Sequence, residues 1–188
     1  MVYQDKNGGS KVIEVLLVNE EDRITGKGEK IDVHRKGLLH RAFSVFMTDE
    51  QDRLLIQKRA EGKYHSGGVW SNSCCSHQYS GETLFEAASR CIRDELGISI
   101  PLTDENAHEA GVFRYYKDLG EMKEHEIDHV IVCRICSDAA FVLNPDEVSE
   151  VRWMKREEID RELAEGVMYS AWFEQAYREA VKFLDMTR

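Results

Sequence analysis

Apolar and polar positions alternate with a period near two over much of this chain, and the period shifts to that of a helix in three places. Val12–Val18 reads as a strand rich in Val, Ile and Leu, turned by Asn19-Glu20-Glu21-Asp22 and followed by a return over Arg23–Lys27. Arg41–Thr48 and Arg53–Arg59 are strand-like runs around the turn residues Asp49-Glu50-Gln51-Asp52, which predicts a hairpin. Lys63–Ser80 has no sustained period and contains Gly67-Gly68, so it is expected to be a long loop. Thr83–Leu96 is predicted to be a helix: Leu84, Ala88, Cys91, Ile92 and Leu96 form one stripe, and Gly97 stands where a C-terminal cap belongs. Gly111–Lys117, Ile127–Cys136 and Val148–Met154 return to a strand pattern, and Lys155–Glu165 and Ala171–Asp185 to a helical one. Strands and helices interleave without a regular βαβ rhythm, which points to a mixed α/β (α+β) fold, a β-sheet sandwich flanked by helices.

Composition narrows the class. At 188 residues, one domain over 12–188 is expected, with Met1 to Lys11, polar and glycine-bearing, as a frayed start that lacks an apolar signal core. A net charge of −10 argues against nucleic acid and acidic membranes as partners, and an anionic substrate would need a basic pocket inside this negative shell. No apolar run approaches the roughly 18 residues of a membrane span. The five cysteines, 74, 75, 91, 133 and 136, are odd in number and unframed; they suggest reduced thiols and a cytoplasmic protein.

Chemistry concentrates in Asn72-Ser73-Cys74-Cys75-Ser76-His77 and the helix that follows. There Glu95, four residues after Cys91, falls on the apolar stripe. An ionised carboxylate at such a position needs a cation, either an arginine or a hard metal, and Glu82 at the helix entrance is a second candidate carboxylate. Neighbouring thiols project differently, so one of Cys74 and Cys75 is expected to face a site; a disulfide between them would close a strained ring. His34 and His40 flank the start of a strand, and they gain meaning only if they converge with His77. His125-Glu126-Ile127-Asp128-His129 matches the H-E-x-x-H zinc-protease signature, but it runs into the strand pattern Val130–Cys133. On a strand Glu124, Glu126 and Asp128 share one face and the two histidines the other, which removes the protease reading. Cys133 and Cys136, three apart, fail as a chelate on the same ground. Arg59 and Lys63 form a basic pair suited to phosphate oxygens, with Lys30 as a third candidate.

Two resemblances gather these residues. Between Ser76 and Ile98, Glu82, Arg90, Glu95 and Gly97 stand where the Nudix box has Glu, Arg, Glu and Gly; Cys91 departs from it at a usual glutamate and Ser76 at a usual glycine. More widely, from about Val12 to Trp172, the chain resembles the type I isopentenyl-diphosphate Δ-isomerases, a Nudix-fold family. The segments that carry the likeness are His34 through Arg41-Ala42-Phe43, Gly68-Val69-Trp70-Ser71-Asn72-Ser73-Cys74-Cys75-Ser76-His77, Phe113-Arg114-Tyr115, Glu124-x-Glu126 and Tyr169-Ser170-Ala171-Trp172.

That resemblance implies conversion of isopentenyl diphosphate to dimethylallyl diphosphate through a tertiary carbocation. It makes Cys75 the catalytic thiol, with Glu126 and Tyr115 handling a proton on the opposite side of the substrate. It places His34, His40, His77, Glu124 and Glu126 around one Mn²⁺, Zn²⁺ or Mg²⁺. A second ion, Mg²⁺, would bridge the diphosphate, held by Glu95 and the backbone carbonyl of Cys75. Lys30, Arg59 and Lys63 would clamp the phosphates and Trp172 would lie against the cation. Many members carry a basic residue where Cys91 stands, so this chain is expected to hold the phosphates with one basic group fewer. No flavin is expected, and the partner is a small prenyl diphosphate bound by a monomer or weak homodimer. Two other readings compete: a Nudix hydrolase of a nucleoside or prenyl diphosphate, and a metal-binding module without catalysis.

Overall fold

The computed structural model describes residues 2–4, 10–63 and 65–187. In chain order the elements are β1 (Val2–Gln4), β2 (Ser10–Val12), β3 (Glu14–Val18), β4 (Ile24–Glu29), α1 (Lys30–Lys36), β5 (His40–Thr48), β6 (Leu54–Arg59), β7 (Trp70–Ser71) and β8 (Cys74–His77). They continue with α2 (Leu84–Leu96), β9 (Ala107–Asp118), β10 (Lys123–Arg134), β11 (Val148–Met154), α3 (Arg156–Ala164) and α4 (Phe173–Met186). The first two strands pair with each other; of the segment 1–11 for which fraying is expected, residues 1 and 5–9 lie outside the described residues.

The main sheet runs β11-β6-β5-β10-β9, and the mixed architecture expected from the interleaved pattern is present. Its centre is the parallel pair β5–β10, with Glu126 opposite His40 and Asp128 opposite Ala42. Burial on both faces explains why Arg41–Thr48 reads as a nearly continuous apolar run rather than a strict alternation. One face packs on α2 through Phe43, Val45, Met47, Ala88, Ile92 and Leu96, and the other on α3 and α4 through Phe46, Ile56, Val130, Ile159 and Phe173. A capping box between Thr83 and Glu86 starts α2, and Gly97, at φ 72°, ends it in the left-handed conformation that favours glycine.

Two expectations need correction. The hairpin between β5 and β6 pairs only at Thr48 and Leu54, and then the strands part. The segment Lys63–Ser80 is not one loop: β7 pairs with β6 and β8 pairs with β5, so it fills the opening. Ser73 pins it there, accepting from the Met47 amide at 2.7 Å and donating to the Leu55 carbonyl at 2.7 Å. Small polar residues hide this strand from a hydrophobicity pattern, because their burial is satisfied by hydrogen bonds instead of apolar contact. The helix α1 was also not predicted; with only Val33 and His34 buried along seven residues, it has too short a stripe to register.

Candidate active site

Strand register assembles the site. Residues directly opposite on neighbouring strands point to the same face. Glu126 faces His40 on β5 and Tyr115 on β9; Asp128 faces Ala42, and Ala42 faces His77; Ser44 faces Cys75. One face of these adjoining strands therefore carries Tyr115, Glu126, His40, His77 and Cys75, while Cys74 points into the α2 core, fully buried. The expected division of Glu124, Glu126 and Asp128 from His125 and His129 holds on β10. Cys133 is buried on that strand, and Cys136 lies beyond it, exposed.

His34 enters from α1. Its Nδ1 donates to the Lys30 carbonyl at 2.6 Å, and the Nδ1 of His40 donates to the Leu38 carbonyl at 2.8 Å. A carbonyl only accepts, so each ring carries its proton on Nδ1 and aims Nε2 inward. The Nε2 of His34 lies 3.7 Å from Glu124, and those of His40 and His77 lie 3.3 and 3.0 Å from the same oxygen of Glu126. His34, His40, His77 and Glu126, all buried, offer ligand atoms within 4.8 Å of one another.

Burial lowers the pKa of His34, and burial with the charges of Lys30, His40 and His34 lowers that of His77, so both rings are held neutral as ligands require. For Glu126 burial pushes the carboxyl up, but hydrogen bonding and charge from His40 outweigh it and hold the group down at about 2. An ionised carboxylate among imidazoles, all excluded from water, calls for positive charge at the centre, and this donor set fits a divalent metal ion.

Beside the cluster is a cleft walled by Lys30, Arg59, Lys63, Cys75, Tyr115 and Trp172, with Glu124, Glu126 and Asp128 also lining it. The Nη1 of Arg59 lies 3.6 Å from the Cys75 sulfur, and its guanidinium lies 5.2 Å from the Trp172 ring centre. Burial pushes the Cys75 thiol far up, against a smaller downward pull from Arg59. Lys30 is lowered by burial and by the neighbouring Lys63, which itself pairs with Glu147. Trp172 is buried and donates its indole N–H to Asn72 at 3.0 Å.

Glu95 does not line the cleft. It lies buried on α2, accepts from Gln57 at 3.1 Å and is pushed up by burial against the pull of Lys63. Glu82 is engaged by Arg90 at 2.7 and 2.9 Å, and Arg90 also donates to the His77 carbonyl at 3.0 Å. This fork ties α2 to the end of β8 and turns Glu82 away from a ligand role. Cys91 is buried in the α2 core and does not line the cleft either. Two participants were not foreseen: Asn72 fixes the Cys strand, and His65 reaches Glu124 at 2.7 Å. His65 is a histidine in the segment that also holds His77, and that co-occurrence was the available signal.

The mixed sheet with helices packed on both faces is the fold of the Nudix class, and the NUDIX domain family matches residues 38–172. The crystal structure of DR0079 from Deinococcus radiodurans superposes with a TM-score of 0.70 at 26% identity, covering 88% of this chain and 98% of that one. The isopentenyl-diphosphate Delta-isomerase of Aliivibrio fischeri (strain MJ11) is 40% identical over 90% of this chain and 96% of its own length. That of Streptomyces coelicolor is 42% identical over 96% and 91%. The chain belongs to the isopentenyl-diphosphate Delta-isomerase family. No described helix is long and apolar enough to cross a membrane.

Proposed function

We propose that this protein isomerises isopentenyl diphosphate to dimethylallyl diphosphate. The observation that carries this reading is the pairing, in one narrow cleft, of a thiol that burial keeps protonated with a carboxylate that its neighbours keep ionised: Cys75 and Glu126. Moving a double bond by one carbon requires adding a proton at one end of the allylic unit and removing another on the far side. Two groups whose environments drive their protonation apart suit that exchange. Cys75 serves one side of the substrate; Glu126, with the Tyr115 hydroxyl beside it, serves the other.

The π electrons take up the incoming proton and leave a tertiary cation, which is resolved when the second proton departs, so atoms balance with no redox partner and no flavin. Trp172 stabilises the cation through its ring face, an interaction worth about 2 kcal/mol or more when desolvated. That face already holds the Arg59 guanidinium. Water must be kept from the cleft during turnover, since it would capture the cation. Lys30, Arg59 and Lys63 hold the diphosphate by charge within an acidic protein.

His34, His40, His77, Glu124 and Glu126 would hold Mn²⁺, Zn²⁺ or Mg²⁺, whose charge would tune the acidity of Glu126. Glu95, just behind the cleft wall, and the Cys75 carbonyl would hold a Mg²⁺ that supplies positive charge to the diphosphate. The substrate is a small prenyl diphosphate, handled by a monomer or weak homodimer in the cytoplasm.

Incubation with isopentenyl diphosphate and Mg²⁺ in deuterated water, followed by NMR, tests the reading. Dimethylallyl diphosphate carrying solvent deuterium in a methyl group is expected. Release of phosphate without isomer would overturn it in favour of hydrolysis.

A further inference from the structure

We infer that His65 is a positioning residue that holds Glu124 in its orientation toward the metal cluster. The inference rests on the metal-dependent reading above and extends it to a residue outside the predicted set. His65 Nε2 lies 2.7 Å from Glu124 Oε1, while the other oxygen of Glu124 lies 3.7 Å from His34 Nε2 and 3.4 Å from the Tyr115 hydroxyl. Glu124 is buried, so each oxygen needs a partner, and the one His65 takes decides which oxygen is left for the cluster. The Nδ1 of His65 meets the Ser66 hydroxyl at 3.3 Å. With its proton on Nε2 the ring would turn an N–H toward Glu124 Oε1 across this 2.7 Å ion-pair contact, and Nδ1 would then accept from the Ser66 hydroxyl.

The loop is built to aim the ring. Arg59 donates to the carbonyls of both His65 and Ser66, at 3.3 and 3.0 Å, with the same guanidinium that reaches Cys75. Ser66 is held at φ 49°, a region costly for a residue with a side chain, and such strain persists only where its surroundings enforce it. The His65 ring stands edge-on to Trp172 at 6.0 Å between ring centres. One imidazole thus spans the basic end of the cleft, the ring that faces the cation, and the outer carboxylate of the cluster. Histidine-to-carboxylate interactions of this kind outside the ligand shell tune metal affinity by about 10–100-fold.

The test titrates Co²⁺, whose visible spectrum reports its ligand field, into wild type, His65→Ala and His65→Gln, with isomerase kinetics in parallel. Glutamine places an amide N–H near the position of Nε2. His65→Ala is expected to weaken Co²⁺ by about tenfold or more and alter its spectrum, with His65→Gln within about threefold of wild type. In turnover, kcat of His65→Ala falls while KM, set by the untouched phosphate clamp, changes little. Unchanged Co²⁺ affinity and spectrum in His65→Ala overturns the inference, and so does a Gln variant as impaired as Ala. If His65→Ala does not fold, the Gln comparison decides. A wild type that binds Co²⁺ but makes no dimethylallyl diphosphate refutes the isomerase reading and leaves the His65 comparison standing, whereas a wild type that takes up no Co²⁺ overturns the inference.

Discussion

Asn72→Ala is the most informative single perturbation of the scaffold, because Asn72 joins the Cys strand, the central strand and Trp172. Asn72 is fully buried; it donates to the Cys74 carbonyl at 2.6 Å and the Val45 carbonyl at 3.2 Å, and accepts from the Trp172 indole at 3.0 Å and the Ser71 hydroxyl at 2.9 Å. Alanine removes all four hydrogen bonds. Each buried group left unsatisfied costs about 1–3 kcal/mol. Taking only the Cys74 carbonyl and the Trp172 indole gives a destabilisation of about 2–6 kcal/mol, centred near 4. For a chain of this size that lowers Tm by about 8–16 °C. Calorimetry measures it directly.

A cycle with Trp172→Phe isolates the indole hydrogen bond. Phenylalanine has no N–H to orphan, so the double variant should be more stable than the sum of the single effects predicts, by about 1–2 kcal/mol. Strict additivity, or a destabilisation below about 1 kcal/mol for Asn72→Ala alone, would refute the reasoning.

Four further outcomes are expected. Cys75→Ala and Glu126→Gln each fold and drop about 10²-fold or more in kcat, whereas Cys74→Ala, altered on the α2 side of the strand, stays active; a folded, fully active Cys75→Ala ends the proton-transfer scheme. Trp172→Phe retains more activity than Trp172→Ala, and equal rates would remove the aromatic role. After chelation, adding Mn²⁺ or Zn²⁺ to about 100 times its dissociation constant raises Tm by roughly 5–10 °C, and His40→Ala abolishes the shift. Burial raises the Cys75 thiol, so its iodoacetamide alkylation keeps climbing with pH beyond the value of about 8.5 of a free cysteine; a plateau below that value contradicts a thiol held protonated.

How far the residues alone reached follows from which interactions leave a periodic trace. The stripe of α2, its glycine cap and the faces of β10 are geometric consequences of period, and they were legible; so was the removal of the protease reading, since alternation on a strand separates His125 from Glu126. The cluster His34, His40, His77 and Glu126 converges as the resemblance implied, although spacing alone offered no reason for residues so far apart in sequence to meet. What stayed hidden is held by hydrogen bonds between segments without a hydrophobic signature. The strand carrying Cys75 is short and polar, and its place in the sheet depends on an opening between β5 and β6 that Ser73 and Asn72 close. No local pattern encodes that opening.

The same reasoning explains why Glu95 was legible as anomalous yet not as to its place. A carboxylate on an apolar stripe demands a partner, and the structure supplies Gln57 and the field of Lys63 and Arg59 behind the cleft wall. Burial pushes Glu95 up, so it is protonated more readily than an ordinary carboxyl, and a nearby divalent cation would reverse that preference. On the proposed function, in which Glu95 takes the Mg²⁺ that accompanies the diphosphate, its ionisation would be linked to the arrival of the cation: Mg²⁺ binding that depends on Glu95 should release protons as it proceeds, and Glu95→Gln should abolish that release. Calorimetric titration in buffers of different ionisation enthalpy counts the protons, and an equal count in Glu95→Gln and wild type would refute the linkage.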